Sequence, residues 1–169
     1  SSFTTAFSCT SFKTIAFAPK SGKGDVIYLL DANNKRVLKK IRHPEMKMLN
    51  SPSLSADGYR IAFSGIDNRG RTDIYVYDME ADTYSRLTED FYEDNHPDWN
   101  PVNGNVVFTS DRCGGEPGKY TNLFSIDPET FEMTQMTSGK WKDTDPRHMP
   151  DGGLLFSSDR SGTYDIYIM

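Results

Sequence analysis

The chain has 169 residues with 19 basic and 24 acidic side chains, a net charge of −5. That length suits one domain, and the acidic balance excludes a general nucleic-acid binder, whose surface is normally basic. With 36% hydrophobic and 12% aromatic residues there is enough apolar surface to order the chain, and no apolar run exceeds the five residues Val26 to Leu30, too short for membrane insertion.

In chain order, an apolar triplet ending in phenylalanine recurs as IAF at 15–17, IAF at 61–63, VVF at 106–108 and LLF at 154–156. The phenylalanines are spaced by 46, 45 and 48 residues. Each triplet is followed by a strand-like segment: DVIYLLD at 25–31, DIYVYD at 73–78, NLFSID at 122–127 and DIYIM at 165–169. Three of the triplets are preceded by a proline (Pro52, Pro97, Pro146) and then a turn, Ala56-Asp57-Gly58, Val102-Asn103-Gly104 or Pro150-Asp151-Gly152. SRLT at 85–88 and TQMT at 134–137 close two of the units. Four markers in one order at one period define an internal repeat, the first thing to seek in a chain of this kind.

Each unit reads as four short strands. The Asx-Gly turn joins the first to the second because its central positions favour left-handed backbone angles. The apolar triplet is a strand covered on both faces, and a polar loop such as Asp67-Asn68-Arg69-Gly70 follows it. In the third strand Ile74 and Val76 point to one side, Tyr75 and Tyr77 to the other. No helical periodicity is present, so the chain is all-β. A period of about 45 residues with four strands per unit is that of a β-propeller blade. The expected blades are approximately 1–48, 49–94, 95–143 and 144–169, the last incomplete, with Ser2 to Phe12 a degenerate first strand.

The run SPSLSADGYRIAFSGIDNRGRTDIYVYDMEADTYSRLT at 51–88, VVFTSDR at 106–112 and DGGLLFSSDRSGTYDIY at 151–167 resemble the TolB-like propeller repeat, a relative of the WD repeats. The third unit departs from it at Asn100-Pro101-Val102-Asn103-Gly104 and has a loop lengthened by Cys113 to Lys119. Such propellers normally have six or seven blades, which implies that this chain is a piece of a larger propeller. The resemblance further implies a bacterial protein of the periplasm or a secreted one. It implies a non-catalytic scaffold for a protein partner or ligand, with the propeller domain of a larger peptidase or hydrolase as the alternative. A metal-dependent lyase on the propeller is the third reading, and the three histidines, His43, His96 and His148, occupy no matching repeat positions for it.

Particular residues carry weaker expectations. Asp111-Arg112 and Asp159-Arg160 read as recurring salt bridges that fix their loops, and Trp99 and Trp141 as blade packing. Cys9 and Cys113 stand two repeats apart, which makes a disulfide between them improbable. Glu89, Asp90, Glu93, Asp94 and Asp98 surround His96, a loop that can attract calcium or a basic partner but is first a solvated acidic loop. In a propeller this connection returns to the innermost strand near the channel mouth. Asp94, Asn95 and His96, with Asp143 and Asp145 one unit later, are therefore the candidate binding residues. No catalytic motif appears, and no cofactor or metal site is assigned. Residues 13–48 carry nine basic and three acidic side chains, a net +6, against −11 for the remainder, a dipole able to steer a partner or a second copy. Open blade edges predict self-association. The alternative, a closed four-bladed ring, needs Ser2 to Phe7 beside Ile166-Tyr167-Ile168.

Overall fold

A computed structural model describes residues 14–19, 25–113 and 115–169, and the backbone of 8–9. The strands are β1 (Ser8–Cys9), β2 (Thr14–Phe17), β3 (Ile27–Asp31) and β4 (Val37–Ile41) in the first sheet, and β5 (Met46–Leu54), β6 (Arg60–Asp67), β7 (Thr72–Asp78) and β8 (Thr83–Arg86) in the second. β9 (Asp94–Trp99), β10 (Val106–Ser110), β11 (Asn122–Ile126) and β12 (Met133–Gln135) form the third, and β13 (Asp143–His148), β14 (Leu154–Ser158) and β15 (Asp165–Ile168) a three-stranded fourth. Every sheet is an antiparallel meander in chain order. Among the described residues no helix is long and apolar enough to cross a membrane. The pairing of β1 with β2 makes residues 8–9 the inner strand of the first blade. Ser2 to Phe7 lie outside the described residues.

Alternation along the second and third strands builds a two-faced blade. In the second blade, Ile61, Phe63, Tyr75 and Tyr77 pack against Ala16, Ala18, Ile27, Leu29 and Ile41 of the first. Ala62, Ile74 and Val76, on the opposite face, pack with Val106, Phe108, Phe124 and Ile126 of the third. Val107 and Leu123 then meet Leu154 and Phe156 of the fourth. Each junction thus sets a small or branched aliphatic face against a face rich in Phe and Tyr. Burying a single Phe or Ile at a junction contributes roughly 1.5–3 kcal/mol.

Two turn devices recur with the sheets. In the first three blades the aspartate at the end of the third strand accepts two backbone N–H bonds from the turn beyond it. Asp78 holds Glu80 N and Ala81 N at 2.9 and 2.8 Å, and Asp127 holds Glu129 N and Thr130 N at 2.8 and 3.1 Å. At the hairpin between β5 and β6 Gly58 has φ 80°, a conformation that glycine adopts without a Cβ penalty.

Candidate functional site

The inner strands β5, β9 and β13, each the first strand and one edge of its sheet, lie side by side. Each is interrupted at the residue before its proline: Ser51, His96 and Asp145 have φ of 48°, 53° and 53°. The sheet register shifts at the same places. A residue before proline normally adopts extended angles, so these three positions hold locally strained backbone that the rest of the blade enforces. The bulge turns the side chains of His96 and Asp145 toward one another. His96 Nε2 is 3.5 Å from Asp145 Oδ1, and His96 Nδ1 is 3.3 Å from Thr144 Oγ1. Burial lowers the His96 pKa from its ordinary value, opposed by the Asp145 charge, so the ring is neutral at pH 7.

Asp94 and Asp143 occupy the corresponding position three residues before the prolines of β9 and β13, and both are fully buried. The Arg112 guanidinium donates to Asp94 Oδ1 and Oδ2 at 3.1 and 2.8 Å. Arg160 donates to Asp143 Oδ1 at 2.8 Å. Each guanidinium is boxed by rings: Arg112 by Tyr92, Phe108 and Phe124 at 5.5, 5.7 and 5.1 Å, and Arg160 by Trp141, Phe156 and Tyr167 at 5.2, 5.1 and 4.5 Å. Such cation–π boxes strengthen with desolvation. The recurring arginines therefore form salt bridges, but across the blade rather than with their sequence neighbours. Asp111 instead accepts the backbone N–H groups of Glu93 and Gly118 at 2.9 and 2.8 Å, and Asp159 accepts Lys142 N at 2.6 Å. Burial pushes the Asp94 carboxyl up to about 6 against the pull of Arg112, Ser110 and Thr88.

The acidic connection contributes a second feature. Carboxylate oxygens of Asp73, Asp90 and Asp94 lie within 4.8 Å of one another. Arg86 reaches Asp73 at 2.7 Å, and Arg112 reaches Asp90 and Asp94 at 3.2 and 2.8 Å, so two guanidinium groups supply the counter-charge.

Above these pairs, at the loop end of the junction between the third and fourth blades, is a pocket of about 240 Å³. Asn95, His96 and Thr109 line it from the third blade, and Lys142, Thr144 and Tyr164 from the fourth. Thr109 is 5% exposed, and its hydroxyl has no hydrogen-bond partner. A buried hydroxyl without a partner costs free energy that a ligand polar group recovers. Of the five residues expected from the sequence, Asn95 and His96 line this pocket, Asp145 sits behind His96, and Asp94 and Asp143 are committed to arginines. Thr109, Lys142 and Tyr164 were not expected. Thr109 follows the phenylalanine of its triplet, where Ser64 and Ser157 stand in the neighbouring units, and that recurrent hydroxyl was the available signal.

The two tryptophans are held by the blades. Trp99 is buried with its Nε1 donating to Ser53 O at 3.1 Å, and Trp141 Nε1 donates to Asp143 Oδ2 at 3.1 Å. Cys113 is exposed with a free thiol, and the Cys9 side chain lies outside the described residues.

No family model matches the chain. The Tol-Pal system protein TolB of Alcanivorax borkumensis is 31% identical over 84 residues, covering 50% of this chain and 19% of that protein. The crystal structure of TolB from Acinetobacter baumannii superposes with a TM-score of 0.78 at 25% identity, covering 97% of this chain and 40% of that one. A puromycin hydrolase is similar at 17% identity with a TM-score of 0.63, over 92% of this chain and 26% of the hydrolase, a likeness of fold alone. The chain therefore spans about a fifth of the curated relative it matches and less than half of the Acinetobacter structure.

Proposed function

Because its repeats are TolB-like propeller blades, we propose that the chain is a non-catalytic scaffold of the bacterial cell envelope that binds a protein partner at the loop end of its blades. The observation that carries this reading is the pocket between the third and fourth blades, where an unpartnered Thr109 hydroxyl lies among side chains from both sheets. Such a pocket offers hydrogen-bonding groups to a peptide segment while the exposed Phe91 and Tyr92 nearby add apolar contact. His96, Thr144 and Asp145 have the membership of an acyl-transfer triad, yet not its arrangement. The Thr144 hydroxyl is as close to Asp145 Oδ2 as to His96 Nδ1, at 3.3 Å each, so it is not poised on the base alone. The hydrolase likeness supports a second reading, the propeller of a larger peptidase, through fold only.

The test uses the immobilised chain in bacterial envelope extract, beside Asn95→Trp, which fills the pocket, and Lys142→Glu, which reverses its cation. A protein retained by the wild type and lost from folded variants is expected. Equal retention by all three, or hydrolysis of peptide esters abolished by His96→Ala, overturns the reading.

A further inference from the structure

The repeat places opposite charges at one position of neighbouring units. Glu93 and Lys142 each stand immediately before the buried aspartate that opens an inner strand, Asp94 or Asp143. Ser64 and Thr109 likewise share a position after the phenylalanine of their triplets, and each hydroxyl is buried without a hydrogen-bond partner. Ser64 is fully buried, whereas Thr109 lines the pocket between the third and fourth blades together with Lys142. Both walls of that pocket are blades of this chain.

The free hydrogen-bonding groups on those walls are mainly donors. Lys142 is half-buried, and among the described residues its Nζ makes no hydrogen bond or ion pair. The Asn95 side-chain amide is unengaged in the same sense. The carboxylates at the pocket are already answered. Asp111 accepts the backbone N–H groups of Glu93 and Gly118 at 2.9 and 2.8 Å, and the Glu93 side chain is exposed, where water and salt screen its charge. An ammonium, an amide and a hydroxyl therefore converge with donor capacity to spare. An ionised carboxylate only accepts, has room for several donors on its two oxygens, and forms its strongest hydrogen bonds with a charged donor. A basic group in the same place would meet Lys142 as a like charge.

We propose that this pocket receives a carboxylate of the partner, with Lys142 as its counter-ion and the Thr109 hydroxyl and Asn95 amide donating to its oxygens. A chain end and an acidic side chain present the same chemistry to these walls. The inference rests on the reading of the pocket as the partner's binding site and adds the charge of the group it takes.

The test is NMR titration of the full chain with blocked tripeptides, followed at the Thr109 and Lys142 amides. Acetyl-Gly-Gly-Gly carries only a terminal carboxylate, and acetyl-Gly-Glu-Gly amide only a side-chain one. Acetyl-Gly-Gln-Gly amide and butylammonium chloride are the neutral and cationic probes. Saturable shifts are expected with at least one carboxylate peptide and not with the other two probes. A response to the terminal carboxylate alone identifies a chain end as the source, and a response to the glutamate peptide alone identifies an acidic side chain. Lys142→Met is expected to weaken that binding about tenfold or more, and Lys142→Arg to retain it. Thr109→Val is expected to weaken it with the charge intact. Absence of saturable binding, equal binding of the glutamine peptide or of butylammonium, or wild-type affinity in Lys142→Met overturns the inference. Should Asn95→Trp still lose the partner from envelope extract while no carboxylate peptide binds, this inference fails and the binding-site reading stands. Should Asn95→Trp retain the partner as well, both fail.

Discussion

The Asp98 carboxylate accepts the backbone N–H of His148 at 2.7 Å, joining the inner strands of the third and fourth blades. The same oxygen is 3.2 Å from His148 Nδ1, and the other oxygen takes the Ser53 hydroxyl of the second blade at 3.1 Å. One side chain therefore ties three blades, and it does so at a place where backbone donors are cut off from water. Asp98→Ala leaves the His148 N–H and the Ser53 hydroxyl unsatisfied. We expect a loss of about 1–3 kcal/mol, read as a lower urea midpoint with unchanged slope. A midpoint equal to that of the wild type would show that water replaces the carboxylate.

Asp94 makes stability depend on pH with a defined sign. Its folded pKa of about 6 lies above the ordinary 3.8, so the folded state binds the extra proton between those values. Stability contributed by this group is complete below pH 4 and falls as pH rises toward 6. Urea unfolding of wild type and Asp94→Asn across pH 4–7 checks it. The difference between the two curves is expected to shift against the wild type over that interval, then level off. A difference that runs the other way would mean that Arg112 outweighs burial.

His96 supplies an independent titration. Its pKa is lowered by burial, so an NMR titration of the ring is expected to show a midpoint below the ordinary 6.5. Asp145→Asn removes the opposing charge and moves the midpoint lower still. A midpoint above 6.5 would place the ring in a charged pair with Asp145 and refute the neutral assignment.

Gly65 is where the second blade departs from its neighbours. A Cβ there would meet Cδ2 and Cε2 of Tyr75 at 2.9 Å, and Met46 Sδ at 3.2 Å. The corresponding residues are Ser110 and Ser158, beside arginines 112 and 160, and the second blade has neither that arginine nor the buried aspartate; Leu49 and the Tyr75 ring fill the space. Gly65→Ala is expected to cost roughly 1–3 kcal/mol through overpacking, measured as a lowered thermal midpoint. An unchanged midpoint would show that the Tyr75 ring is free to move.

Much of this architecture is readable along the chain. Ile74 and Val76 do face one neighbour, and Tyr75 and Tyr77 the other, because strand side chains alternate with a period of two whatever the surrounding fold. The Asx-Gly turns mark the hairpins for equally local reasons, while the prolines mark the irregularities inside the inner strands. The propeller likewise follows from a repeat whose single sheet cannot cover both faces alone.

The site was legible only in part. Asn95 and His96 follow from the return of the chain to an inner strand, but Lys142 and Tyr164 come from the segments just before the first and third strands of the next blade. Adjacent Asp111 and Arg112 invite a local ion pair. Yet a turn sends neighbouring side chains in different directions, and Arg112 crosses its own sheet to Asp94, 18 residues earlier.

Repeat spacing and alternation, being properties of consecutive residues, were enough to determine the blades, their order and their apolar faces. Which carboxylates remain free for a partner, and which hydroxyl is left without one, was settled by contacts between residues as far apart as Asp98 and His148, 50 positions along the chain. Those depend on how one blade is set against the next, and burial there decides whether a charge is neutralised or available.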